Sequence, residues 1–385
     1  MENWLNLVLG IIILILAAFL YNRFQDKADA SKGKEGYSNY EELNEYLLQS
    51  PTDLETKKEE PKKPILWIHI PNGMKNSRNW LNFGSRLTSE LNQPYLYLTV
   101  KSIVGHCKDT FRICMIDDES FEKLIPSWNI DMKQVSSPII QKLRQIGLMK
   151  LLSVYGGMIV PISFLCMKDL KGLYEKGTRD GKVFICENVD RSIHSTQAVF
   201  YPDIRFMGVG KPGNAVIGSF LSYIEETLSA DFTSESVFLD KFNTWMNENA
   251  CKKQITLIDG IDIGVKDMEG VPVSLEELMS DNYIDFYSKM YGIWIPQEDL
   301  LKRLQYGWFV RSSPKQVLEG NSILSKYMLL ANTPQSDGEY LIEQMRPDPD
   351  WVGFYDTPLT RVWGLKPNYL GNTVLKYANP ENPGT

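Results

Sequence analysis

"LLSVYGGMIVPISFLCMKDL", Leu151–Leu170, carries a helical pattern through a glycine pair into an apolar run of β type. Ile140, Leu143, Leu148, Leu151, Leu152 and Tyr155 share one face at helical spacing, so the stretch before Gly156 reads as an amphipathic helix. Ser137-Pro138 offers an N-cap and a first-turn proline at its start. Gly156-Gly157 ends it, because a helix terminus often needs a left-handed residue, which glycine adopts without strain. "MIVPISF", Met158–Phe164, follows as a strand. Pro161 has no N–H for a ladder, so that strand must lie at an edge, end there or bulge.

Outward from this unit, short β-rich runs alternate with helical patterns. "ILWIHI", "FRICMI", "KVFICE", "AVFYPDIRFMGV" and "QITLID" read as strands. Helices are predicted through "FEKLI" and over 214–228, 234–249 and 313–330. Such alternation predicts an α/β domain over 64–345, with a mainly parallel sheet and flanking helices. The last forty residues, 346–385, are rich in Pro, Gly, Trp and Tyr and read as an extended tail over the domain or an aromatic binding surface.

The chain has 385 residues, 43% hydrophobic and 23% charged, with a net charge of -7. That balance excludes a nucleic-acid binder, which needs a basic surface to neutralise phosphates. Five scattered cysteines, with no C-x-x-C, argue against a disulfide framework or a zinc knot. There is no P-loop, G-x-S-x-G or H-E-x-x-H.

Residues 4–21 form an apolar segment whose Leu5–Tyr21 core spans ~26 Å as a helix, near the lower limit for crossing a bilayer. Trp4 and Tyr21 mark its ends, and no Lys or Arg precedes it, whereas Arg23, Lys27, Lys32 and Lys34 follow. The positive-inside tendency predicts a retained single-pass anchor with the large domain in the cytosol. A cleaved signal peptide fits less well, since the leading residues lack positive charge. Residues 22–63 read as a polar linker, with a short helix around the Tyr40/Leu43/Leu47 stripe.

On these segments the domain resembles the GT-A glycosyltransferases of the D-x-D sugar-transfer and capsular-polysaccharide-synthesis type. "KPILWIHIP" is similar to the family's opening strand, and "CMIDDESF" to its strand ending in acids. "RQIGLMKLLSVYGG" and "MIVPISF" match its helix, GG turn and D-x-D strand, and "FMGVGKPGNAVIGSFLSYI" its later turn and helix. The likeness covers somewhat under half the chain, and its helix–GG–strand unit is the specific part. Together with the anchor it also resembles membrane-anchored proteins of large DNA viruses. The resemblance implies a GT-A-like mixed sheet, a nucleotide-sugar ligand and hexosyl transfer.

Counted from the glycine pair, however, the family's D-x-D aspartates fall on Pro161 and Ser163, and its Asp and Arg fall on Gln145 and Leu148. Mg²⁺ or Mn²⁺ beside a diphosphate needs carboxylate oxygens, which proline and serine do not supply. Metal ligands are therefore expected only if acids from elsewhere converge. Three readings stay open: a scaffold that binds a protein partner without catalysis, sugar transfer without a metal, or a generic α/β unit.

The resemblance points to Trp67 and His69 on the first strand, to Asp117 and Asp118 after the second, and to Gly156 and Gly157 as substrate-binding residues. From the residues alone, Trp67 and His69 read equally as a core-facing pair, and Asp117-Asp118 as caps of the next helix. Asp259 and Asp262 in "LIDGID" read as a turn. Gly208, Gly210 and Gly213 satisfy G-x-G-x-x-G, but the strand and ribose-binding acid of a dinucleotide fold do not follow, so a glycine-rich turn into a helix is favoured.

Overall fold

The computed structural model describes residues 63–71, 93–126, 128–135, 139–196, 198–230 and 240–333, with Leu43 and Tyr46. The chain divides into two compact units, Met1–Leu47 and Leu48–Thr385, and every element below belongs to the second. The expected anchor (4–21), most of the linker, the Ser137-Pro138 cap and the tail (346–385) lie outside the described residues. Among the described residues, no helix is long and apolar enough to cross a membrane.

Six strands form the main sheet: β1 (Ile65–His69), β2 (Arg112–Ile116), β3 (Gly157–Ile159), β5 (Val183–Val189), β6 (Phe200–Val209) and β7 (Ile255–Ile258). Their order is β2-β1-β3-β6-β5-β7. β1 is parallel to β2 and β3, β5 is parallel to β7, and β6 runs antiparallel to both its neighbours. The sheet is thus mixed, with β6 its one reversed strand. Two-residue alternation sets its faces. Trp67, Ile159, Val183, Ile185 and Met207 pack in one core with residues of α3 (Ile139–Tyr155), α5 (Ala215–Ala230) and α6 (Lys241–Cys251). Phe184 and Phe206 meet Tyr174 of α4 (Lys171–Gly177) and Phe164 instead. Fully buried rings such as Trp67, Phe184 and Phe206 each contribute about 1.5–3 kcal/mol of apolar transfer.

The expected strand Met158–Phe164 is two strands. Val160 donates its N–H to the Trp67 carbonyl, and the ladder stops at Pro161, whose carbonyl accepts the Phe164 N–H in a turn. β4 (Phe164–Cys166) then pairs antiparallel with β8 (Gly292–Trp294) in a second sheet. Of the three fates open to a strand containing Pro161, ending there is the one realised, and the proline passes the chain from one sheet to the other.

α1 (Tyr95–Cys107) packs on β4 and has no sequence-level counterpart above. Ten of its residues, among them Tyr95, Leu98, Thr99, Ser102 and Cys107, are buried, so only a narrow stripe at Lys101, Gly105 and His106 stays outside the core. The helix expected over 313–330 is broken into α10 (Pro314–Leu318) and α11 (Ile323–Ala331). A Cβ at Gly320 would meet Ser325 Oγ at 2.5 Å, and Ser322 starts a new N-cap by accepting the Ser325 N–H. α2 (Ser120–Leu124), α7 (Leu275–Met279), α8 (Gln297–Lys302) and α9 (Gly307–Arg311) complete the set.

Candidate functional site

The chain enters the sheet at β1, adds β2 on one side, and then crosses to add β3 on the other. In open α/β sheets, ligands bind outside the carboxyl ends of parallel strands where the winding reverses, here between β1 and β3. His69 closes β1, Asp117 and Asp118 follow β2, and Val160–Ser163 follow β3.

His69 Nε2 lies 3.0 Å from Asp118 Oδ1. Arg144, in the first half of α3, donates from Nε to Asp118 Oδ1 (2.9 Å) and from Nη2 to Oδ2 (2.7 Å). The Asp118 side chain is 1% exposed, His69 9% and Arg144 13%. Burial alone would raise the Asp118 pKa, but hydrogen bonds from His69 and Arg144 hold it well below the usual carboxylate range. Burial, the largest influence on His69, keeps its pKa below the ordinary value despite the nearby carboxylate. A neutral imidazole facing an ionised carboxylate must place its proton on Nε2 and donate it. The His69 ring stacks on Phe121 at 5.2 Å, and Phe121 lies against Gly147, where a Cβ would sit 2.7 Å from the ring.

The acid pair has divided its labour. Asp117 Oδ1 accepts the N–H groups of Glu119 and Ser120 and the Ser120 hydroxyl, so it holds the turn that leads into α2, whose N-cap is Glu119 rather than either aspartate. Asp118 belongs to the ion cluster. Trp67 is wholly buried and donates Nε1–H to the Gly156 carbonyl at 3.0 Å. Gly156 (φ 71°) and Gly157 (φ 94°) sit at the other end of the strand pair, where Gly157 lies against Ile65. The structure therefore joins His69 with Asp118 and sets Trp67, Gly156 and Gly157 apart from them. Arg144 escaped the sequence reading, which looked for a basic residue at Leu148. Its one signal was that it is the only arginine of α3, on a helix that also carries Gln141, Lys142, Gln145 and Lys150.

The cation cradle does not fit these residues. Pro161 offers no side-chain donor, Ser163 is buried and neutral, and the Asp118 oxygens are already held by Arg144 and His69. Among the described residues, no group of three or more His, Cys, Asp or Glu side chains is placed to hold a metal ion. Asp259 caps a short turn by accepting the Ile261 N–H and pairs with Lys266, while Asp262 pairs with Lys176. In the G-x-G-x-x-G run, Gly208 stands in the antiparallel β6, which a dinucleotide-binding turn would not allow. A shallow hollow along α5, lined by Ser222, Glu225, Glu226, Ser229 and Ala230, contains none of the site residues.

A second polar cluster joins the far end of the β5–β6 hairpin to α6. Asp203 is bound by Arg205 and Asn188, and Arg205 also reaches Glu298. Asp240, left-handed at φ 51°, accepts from Asn243 at 2.8 Å. Burial, then the charges of Asp203 and Asp190, push its pKa up to about 6 against the pull of Asn243.

Fold and site together define an α/β domain with a mixed six-stranded sheet and a buried ion cluster at the strand ends where its winding reverses. No protein-family model matches the chain, and neither a curated protein nor a solved structure matches it.

Proposed function

We propose that this chain carries a GT-A-like nucleotide-sugar scaffold, tethered to a membrane by residues 4–21 with the domain in the cytosol, that has given up metal-dependent sugar transfer. The order of segments supports it: an opening strand, an acid-ended strand, a helix, a GG turn and a third strand stand in one parallel β2-β1-β3 array. One observation carries the loss of metal chemistry. The acid following β2 is neutralised from within by Arg144 and hydrogen-bonded by His69, and Pro161 and Ser163 after β3 hold no carboxylate. A diphosphate there would have to be met by backbone amides and cationic side chains rather than by a bound cation.

The test is thermal stabilisation of the full-length chain in detergent by UDP- and GDP-sugars, with and without Mn²⁺. The expected result is that Mn²⁺ adds nothing to the effect of the sugar nucleotide alone. A Mn²⁺-dependent gain near ~2.7 kcal/mol, which a ligand at a hundred times its dissociation constant produces, would overturn the reading.

The same internal neutralisation favours a second reading, a membrane-anchored interaction protein that uses the fold noncatalytically. Crosslinking from membranes should then recover one dominant protein partner, and no partner if the domain works alone on a sugar nucleotide.

A further inference from the structure

Two thiols that the site does not use approach each other across the junction between the sheets. Cys107, at the end of α1, and Cys166, on β4, are both fully buried, and their sulfurs lie 3.9 Å apart although 59 positions separate them in the chain. The same side of α1 grips the chain just after Pro161: Thr99 Oγ1 donates to the Ile162 carbonyl at 2.6 Å, and Ser102 Oγ accepts the Cys166 N–H at 2.9 Å. Cys114 and Cys186 are as deeply buried, on β2 and β5, and Cys251 is exposed.

We propose that Cys107 and Cys166 form an oxidation-dependent disulfide that locks α1 onto β4, and with it the segment that follows Pro161. Closing the bond needs the sulfurs to approach to about 2.05 Å, a movement within reach of side-chain rotation. The oxidant is a peroxide. One thiol ionises, its thiolate attacks a peroxide oxygen, the O–O bond breaks, and the departing hydroxide takes up the released proton, giving a sulfenic acid and water. The second thiol then attacks the sulfenic sulfur and expels a second water, so two thiols and one H₂O₂ give one disulfide and two waters. Burial raises the Cys166 pKa well above its ordinary value, so the Cys166 thiolate forms only on local opening. In a reducing cytosol the pair stays open, and it closes only under oxidative load.

Full-length protein carrying Cys251→Ser, which removes the exposed thiol, should be treated with hydrogen peroxide under native conditions, quenched by alkylation and digested without reductant. The expected product is a Cys107–Cys166 cross-linked peptide, with Cys114 and Cys186 recovered alkylated. The oxidised chain should melt several degrees higher, and dithiothreitol should reverse the shift. Cys107→Ser should lose both the cross-link and the shift. If that variant does not fold, the oxidised and reduced forms of the parent protein decide the matter alone. A Cys107–Cys166 peptide no more abundant than pairs involving Cys114 or Cys186, or one seen only in denaturant, overturns the proposal.

Discussion

The two ends of the β1–β3 pair, about 13 Å apart along the strands, are built on opposite principles. At the amino end everything is shape: Gly156 and Gly157 adopt positive φ, and Gly157 leaves no room for a side chain against the Ile65 carbonyl. At the carboxyl end everything is polar: Asp118 and Arg144 neutralise each other and His69 donates to the same carboxylate, three separate segments meeting in a buried cluster. A steric constraint is local in sequence and tolerates almost no replacement. An ion cluster is assembled from afar and can be exchanged for apolar residues if all its members go together.

The largest effect should therefore fall at the amino end. Gly157→Ala combines a backbone conformation foreign to alanine with a Cβ inside van der Waals distance of Ile65, and is expected to cost about 3–5 kcal/mol in chemical denaturation. Gly213→Ala makes the control, because Gly213 also has positive φ (67°) but open space where its Cβ would stand. It should cost only about 1 kcal/mol. Equal losses in the two variants would show that the dihedral, and not the contact with Ile65, governs this end.

Next comes the carboxyl end. Arg144→Met removes the two guanidinium hydrogen bonds from buried Asp118, and should cost about 3 kcal/mol, since removing one partner of a buried pair strands the other charge. Adding Asp118→Asn to that variant should restore part of the loss. Thermal unfolding of the single and double variants measures the coupling, and strict additivity would break the picture of a mutually neutralising cluster.

The same contrast explains what the sequence disclosed. The amino-end glycines, the amphipathic α3 and the apolar strands β1, β2, β5, β6 and β7 were legible because each rests on short-range pattern. The role of Arg144 was not, because nothing near position 144 announces a partner at 118 or 69. Pro161 was legible as a break but not as a crossing into a second sheet, which depends on β8 more than a hundred residues later. α1 was harder to see: ten of its thirteen residues are buried, leaving only a narrow stripe around Lys101 and Gly105 outside the core. For the cation cradle, the sequence showed what was missing, and only the fold could show that Asp118 is already taken.

A third place, where neutralisation stops short, sharpens the comparison with the smallest effect. Asp203 has Arg205 bound to it, whereas Asp240 is hydrogen-bonded by Asn243, and the charges of Asp203 and Asp190 oppose its ionisation. Its pKa of about 6 in the folded chain lies above the ordinary carboxylate value of 3.8. The folded state therefore binds more protons than the unfolded state between those values, and stability must fall as pH rises from about 4 to about 6. Asparagine keeps an acceptor for Asn243 and tolerates the left-handed backbone at this position. Asp240→Asn is thus expected to match the parent near pH 4 and to exceed it by about 1–2 kcal/mol at pH 7, a full two-unit shift being discounted for partial exposure. Denaturation profiles of the two proteins at both pH values read that difference directly. A gain of the same size at pH 4 would mean that the substitution acts through packing, and that Asp240 is as well neutralised in the fold as Asp118 is.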